Sequence, residues 1–175
     1  MSKLGFSKDA SHERWLATTI EQVLEPSIEI VDAHHHLWHR PDGGSYLFPE
    51  FLADLNQGHR VISTVYAECH SMYRTEGEEQ LKSVGESEFV AGVSAMSASG
   101  NYGETAVCQV MFAHTDMTLG NKVNYVLDAH DRASGGRLRG VRISCGWDKS
   151  PKIRNVVPGP GMLSDGRVLE ASRIL

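Results

Sequence analysis

The sequence predicts an α/β fold assembled from repeating strand–helix units. Three observations carry that expectation. Four β-rich runs begin near residues 28, 60, 106 and 138; the segments between them carry helical patterns; and the intervals between starts, about 32, 46 and 32 residues, suit parallel strands joined by helical crossovers.

Residues 11–24 set Trp15, Leu16, Thr19, Ile20, Val23 and Leu24 at helical spacing, with Ser11 as a cap and Pro26 closing the segment, so a short amphipathic helix packed outside the main fold is expected. In IEIVDAHHH, β-branched residues lead into a histidine cluster, and HRPDGGS supplies the Pro and Gly that end a strand, which places the first strand at about 28–34. Residues 49–58 suit a short helix, and RVISTVYAE at 60–68 is the second strand. The polar, Glu-rich sequence from Thr75 fills a helical crossover reaching to about 98. AVCQVMFAH at 106–114 is the third strand, 119–132 a helix, and LRGVRIS at 138–144 the fourth strand after the turn signal SGG. The closing residues, through SRIL, read as a helix opening near Ser164 and Asp165.

An eight-unit βα barrel needs about 250 residues. Four units in 175 residues therefore predict half of such a barrel, a fragment or truncated product: residues 1–27 as an N-terminal helical extension and 28–175 as the first half. A small complete α/β domain is the alternative.

With 41% hydrophobic and 22% charged residues the composition is that of an ordinary globular protein. A formal charge of -5 and pI near 6.0, with Lys and Arg spread out, predict no nucleic-acid partner. Cys69, Cys108 and Cys145 lie far apart without CxxC spacing, which points away from zinc knuckles and disulfides and towards a reducing compartment. Without a signal peptide or a run of about 20 apolar residues, the chain is expected to be cytoplasmic, with no membrane partner.

The histidine cluster carries the chemistry. Alternate side chains of a strand share a face, so His34 and His36 project to one side and His35 to the other, while Asp32 keeps the parity of the pair one step deeper. Two imidazoles fixed on one strand offer much of a ligand set for zinc or a related divalent ion, and the cluster stands where parallel α/β folds keep their active sites.

Glu68 stands at the end of the second strand as a carboxylate able to orient water, substrate or a ligand histidine, with pairing to a surface cation as the plain alternative. His70, two residues on, could face the same pocket, though in the loop it is expected to have lost strand parity. His114 closes the third strand, lining the pocket or making a structural hydrogen bond. Arg142 alternates with Gly140 and Ser144, and an inward guanidinium there suits a substrate carboxylate; the alternative is a buried structural ion pair. Trp38, Tyr46 and Trp147 are read as packing, His12, His59 and His130 as solvated, and His39 as a turn residue.

VDAHHHLW at 31–38 resembles the opening motif of the amidohydrolase-related proteins, in the branch that includes sugar-lactone and pyrone-dicarboxylate lactone hydrolases. The likeness continues through TVYAECHSMYR at 64–74, VGESEFVAGVSAMSASG at 84–100 and GGRLRGVRIS at 135–144, and covers roughly residues 28–175. The resemblance implies a TIM-like barrel of the metal-dependent hydrolase superfamily, whose first strand supplies an HxH pair matching His34 and His36. It also implies a further histidine and an aspartate from later strands, beyond Leu175. The function it implies is water addition to a carbonyl, of a lactone or similar cyclic ester, with a divalent metal (zinc foremost) or with none, the histidines then polarising the carbonyl. Metal-dependent decarboxylation, a reaction of the same superfamily, is one competing expectation. The other is an inactive half-barrel that self-associates through exposed strand edges.

Overall fold

The computed structural model describes residues 14–41 and 44–175. Its elements run β1 (Glu29–His35), β2 (Trp38–Arg40), β3 (Gly44–Tyr46), α1 (Phe48–Leu55), β4 (Arg60–Ala67), α2 (Val84–Ala98), β5 (Ala106–Ala113), α3 (Val123–Ser134), β6 (Leu138–Val141) and α4 (Gly166–Ser172). Short 3-10 turns at Glu79–Leu81, Met117–Lys122 and Met162–Ser164 precede the last three helices.

The main sheet has four strands in the order β1-β4-β5-β6, every pair parallel, and β2 and β3 form a separate antiparallel hairpin. Each crossover contains a helix, as parallel neighbours require. Their ends follow from local chemistry. Leu47 N–H donates to the Glu50 carboxylate at 2.9 Å to open α1, Gly135 takes the left-handed conformation (φ 63°) that stops α3, and Asp165 accepts from Arg167 N–H at 2.9 Å to start α4.

The larger core lies between the sheet and helices α1 and α2. It is built from Leu37, Phe48, Phe51, Tyr66, Val90, Val93, Val107 and Met111. A smaller cluster joins Met117, Val123, Val168 and Ala171, packing α4 against the segment after β5. Burial of side chains of this size stabilises by roughly 1.5–3 kcal/mol apiece.

Several expectations change. Only residues 14–16 of the expected 11–24 helix are helical, residues 11–13 lying outside the described residues. Trp15, Ile20 and Leu24 are 67%, 91% and 90% exposed, so most of the apolar stripe stays open to solvent, and a short helix with little packing is marginal. His39 lies in β2 rather than in a turn, its Nδ1 2.6 Å from Ser45 Oγ across the hairpin. The fourth strand stops at Val141, although Arg142 N–H extends its bonding to Ala113 O at 2.9 Å.

The most consequential change is in β1. Asp32 stands opposite Thr64 and His35 opposite Tyr66, three residues against two, so a bulge lies between them. The bulge resets the parity. Asp32 lines a cleft with Ile30, Phe51 and Leu55 on the α1 side and His35 stacks on Phe51 at 4.1 Å between ring centroids, so Asp32 is not beneath His34 and His36. Its Oδ1 instead accepts from His34 N–H at 3.1 Å and closes the bulge.

Candidate functional site

His34 is the penultimate residue of β1, and His36, Glu68, His114 and Arg142 are the residues immediately beyond β1, β4, β5 and β6. His34 and His36 converge. Their Nε2 atoms are 3.2 Å apart and the rings meet edge to face at 4.8 Å. His35, between them, is buried among Thr64, Phe51 and Cys108, with Nε2 2.9 Å from Thr64 Oγ1. Burial lowers its pKa to about 4 and keeps it a neutral core residue.

Hydrogen bonding fixes the tautomers of the pair. His36 Nδ1 is 2.7 Å from the Ala67 carbonyl, which only accepts, so Nδ1 carries the hydrogen and the neutral ring leaves Nε2 a bare lone pair. Arg142 Nη1, which only donates, is 3.2 Å from His34 Nε2, so that nitrogen also carries no hydrogen and accepts from the guanidinium. Burial holds the His36 pKa below its ordinary value, and Arg142 pushes the same way against the raising effect of the Ala67 carbonyl. The His34 Nε2 lone pair accepts from Arg142, and His36 Nε2 stands 3.2 Å from the same nitrogen, so an ion replacing the Arg142 contact would meet both nitrogens. Two nitrogens bound to one tetrahedral zinc stand roughly 3.3 Å apart, so spacing and tautomer both fit such an ion.

Glu68 is 1% exposed. Its Oε1 accepts from Arg142 Nε at 2.9 Å, and Arg142 Nη2 donates to the Glu68 backbone carbonyl. The arginine side chain is 40% exposed, with three of its five N–H donors engaged. Both plain expectations thus have a structural counterpart, an ion pair between a buried carboxylate and a half-exposed guanidinium. The same pair also touches His34.

The other carboxylate oxygen, Oε2, is buried with no hydrogen-bond partner among the described residues. His70 Nε2 lies 3.7 Å from it. His70, in the loop beyond β4, has a left-handed backbone (φ 59°), and its ring lies 4.8 Å from that of His114. Glu68, His70 and His114 each offer a ligand atom within 4.8 Å of the others, a group able to hold a metal ion. His114 Nδ1 is likewise buried without a partner, and burial, then His70, lowers the pKa of this ring. The readable signal for His70 was the spacing of Glu68-x-His70, which repeats that of His34-x-His36 at the end of the next strand.

His130 is not solvated: it is 0% exposed, with Nδ1 2.7 Å from Ser87 Oγ and Nε2 3.1 Å from Ser83 Oγ. His59 is exposed, and His12 lies outside the described residues. Trp38 stacks on Tyr46 at 5.0 Å, a packing contact, and Trp147 is 39% exposed.

The loop carrying Glu68 and His70 is held from α2. Glu86 Oε1, 2% exposed as a residue, accepts from Tyr66 Oη at 2.7 Å, Cys69 N–H at 2.9 Å and Ser71 N–H at 3.3 Å. Burial pushes this carboxyl's pKa up, opposed by those bonds. Compared with protein-family models, curated proteins and solved structures, the chain finds no match in any of the three.

Proposed function

We propose that this site belongs to an amidohydrolase-type hydrolase of TIM-barrel architecture that adds water to the carbonyl of a lactone or similar cyclic ester. The observation that carries the reading is the pair of hydrogen-free Nε2 atoms on His34 and His36, 3.2 Å apart at the C-terminal end of a parallel strand. Sequential strand order supports a barrel, because a doubly wound sheet reverses its order at a switch point and β1-β4-β5-β6 has no reversal.

His34 and His36 would hold a divalent ion, zinc first because imidazole nitrogens suit it. When bound, such an ion polarises a carbonyl and lowers the pKa of water towards about 7. The chain's own residues supply the surroundings. The Ala67 carbonyl fixes the tautomer and orientation of His36. Arg142 stands beside the pair, where a guanidinium stabilises a developing oxyanion or receives a substrate carboxylate. Glu68 aims Arg142 through two contacts that do not involve His34. Glu68 thus acts through Arg142 as a positioning residue. Direct polarisation of the carbonyl by the histidines fits less well, since neither Nε2 carries a hydrogen in these tautomers.

Product analysis tests the reaction. The zinc-supplemented protein is incubated with a panel of lactones, following proton release and evolved carbon dioxide. Ring opening with proton release is expected; carbon dioxide without ring opening would make the protein a decarboxylase and refute the reading.

A further inference from the structure

Beside the His34–His36 pair lies a second group of ligating atoms that the hydrolytic reading does not use. We propose that Glu68, His70 and His114 form a separate site for one divalent transition-metal cation of the zinc type, bound through one carboxylate oxygen and two imidazole nitrogens.

The argument starts from an imbalance in Glu68. The residue is 1% exposed, yet only Oε1 is satisfied, by Arg142. A buried carboxylate oxygen without a donor is costly, and Oε2 has no hydrogen-bond partner among the described residues. His114 Nδ1 is buried in the same condition. Two orphaned acceptor-type atoms beside a third potential ligand, His70 Nε2 at 3.7 Å from Oε2, define the surroundings of a cation.

Two imidazoles and one carboxylate are also the donor set of open zinc sites that keep a fourth position for water or substrate. The 3.7 Å pair is close to the roughly 3.3 Å separation of ligands on a tetrahedral ion. The remaining pairs, all within 4.8 Å, close through side-chain rotation, for which the 59% exposed His70 side chain has room. Tyr73 Oη lies 3.2 Å from His70 Nδ1, and the tautomer that donates Nδ1–H to this hydroxyl leaves Nε2 bare for the metal. The site is distinct from the first because its three ligands share none with His34 and His36. Glu68 links the two: one oxygen anchors Arg142, the other faces His70.

The test is titration of the metal-free protein with Co²⁺, followed by its visible absorption and by calorimetry. The His34→Ala/His36→Ala double variant should keep this site. His70→Ala, at an exposed side chain, and His114→Ala should each weaken binding there at least tenfold while circular dichroism shows the fold intact. His70→Cys serves as a second probe should His114→Ala fail to fold: it should bind Co²⁺ with a thiolate charge-transfer band absent from the wild type. Loss of all Co²⁺ binding in the His34→Ala/His36→Ala variant, or unchanged binding in His70→Ala with no thiolate band in His70→Cys, would overturn the proposal. Neither result depends on hydrolysis, so failure of this site and failure of the hydrolytic reading are separable.

Discussion

Arg142 and Glu68 illustrate how one ion pair at the strand ends serves both stability and site geometry. Because Glu68 is 1% exposed, Arg142→Met leaves a carboxylate in the interior without its guanidinium. Breaking fully buried pairs costs about 3–5 kcal/mol, and partial exposure of the arginine brings the expected loss down to roughly 2–3 kcal/mol. Urea unfolding measures it, and Glu68→Gln/Arg142→Met should recover part of the loss by removing the orphaned charge. A single variant within about 0.5 kcal/mol of wild type would contradict this account. His130 gives the pH dependence. Burial lowers its pKa to about 4 from 6.5, and burial does the same to His35. Between those values the unfolded chain binds protons that the folded protein excludes. Stability is therefore full above about pH 6.5, falls as pH drops towards 4, and falls no further from these groups below it. The loss is on the order of 3 kcal/mol per histidine, and His130→Gln should remove its share of the slope in unfolding measured across that window.

At the scale of elements, α2 is the support of the site. Its first turn presses on the loop after β4 so closely that a Cβ on Gly85 would stand 2.4 Å from the Met72 carbonyl oxygen and 2.8 Å from Arg74 N. Both are backbone atoms, so Gly85→Ala must displace the loop that carries His70. We expect a loss of about 1–3 kcal/mol, with Co²⁺ affinity falling as in His70→Ala; unchanged unfolding and metal binding would show that the loop is not held there. Much of this level was legible in sequence. The runs at 28–34, 60–68 and 106–114 become β1, β4 and β5, because β-branched alternation between turn signals reports strands directly. The convergence of His34 and His36 followed from two-residue periodicity. The same periodicity misassigned Asp32, since a bulge inserts one residue without any mark in the sequence. It could not place His70, because a left-handed residue in a loop follows no strand parity. His130 looked solvated because its two serine partners come from residues more than 40 positions earlier.

For the whole molecule, the decisive property is that four parallel strands in sequential order bring their C-terminal ends side by side. Residues separated by as many as 108 positions, such as His34 and Arg142, thereby meet within 3.2 Å. β1 lays Ile30 and Asp32 beside α1 and leaves Val31, 54% exposed, on the opposite face. No helix among the described residues is long and apolar enough to cross a membrane. The helices here serve the sheet, and the sheet serves the site at its ends. The most direct test of that account is the rate of lactone ring opening by the zinc-supplemented wild type and by His36→Ala, with thermal unfolding recorded alongside. The account predicts a fall of about a hundredfold or more with the fold intact, corresponding to roughly 2.7 kcal/mol of transition-state stabilisation. Ring opening at the wild-type rate in His36→Ala would contradict it.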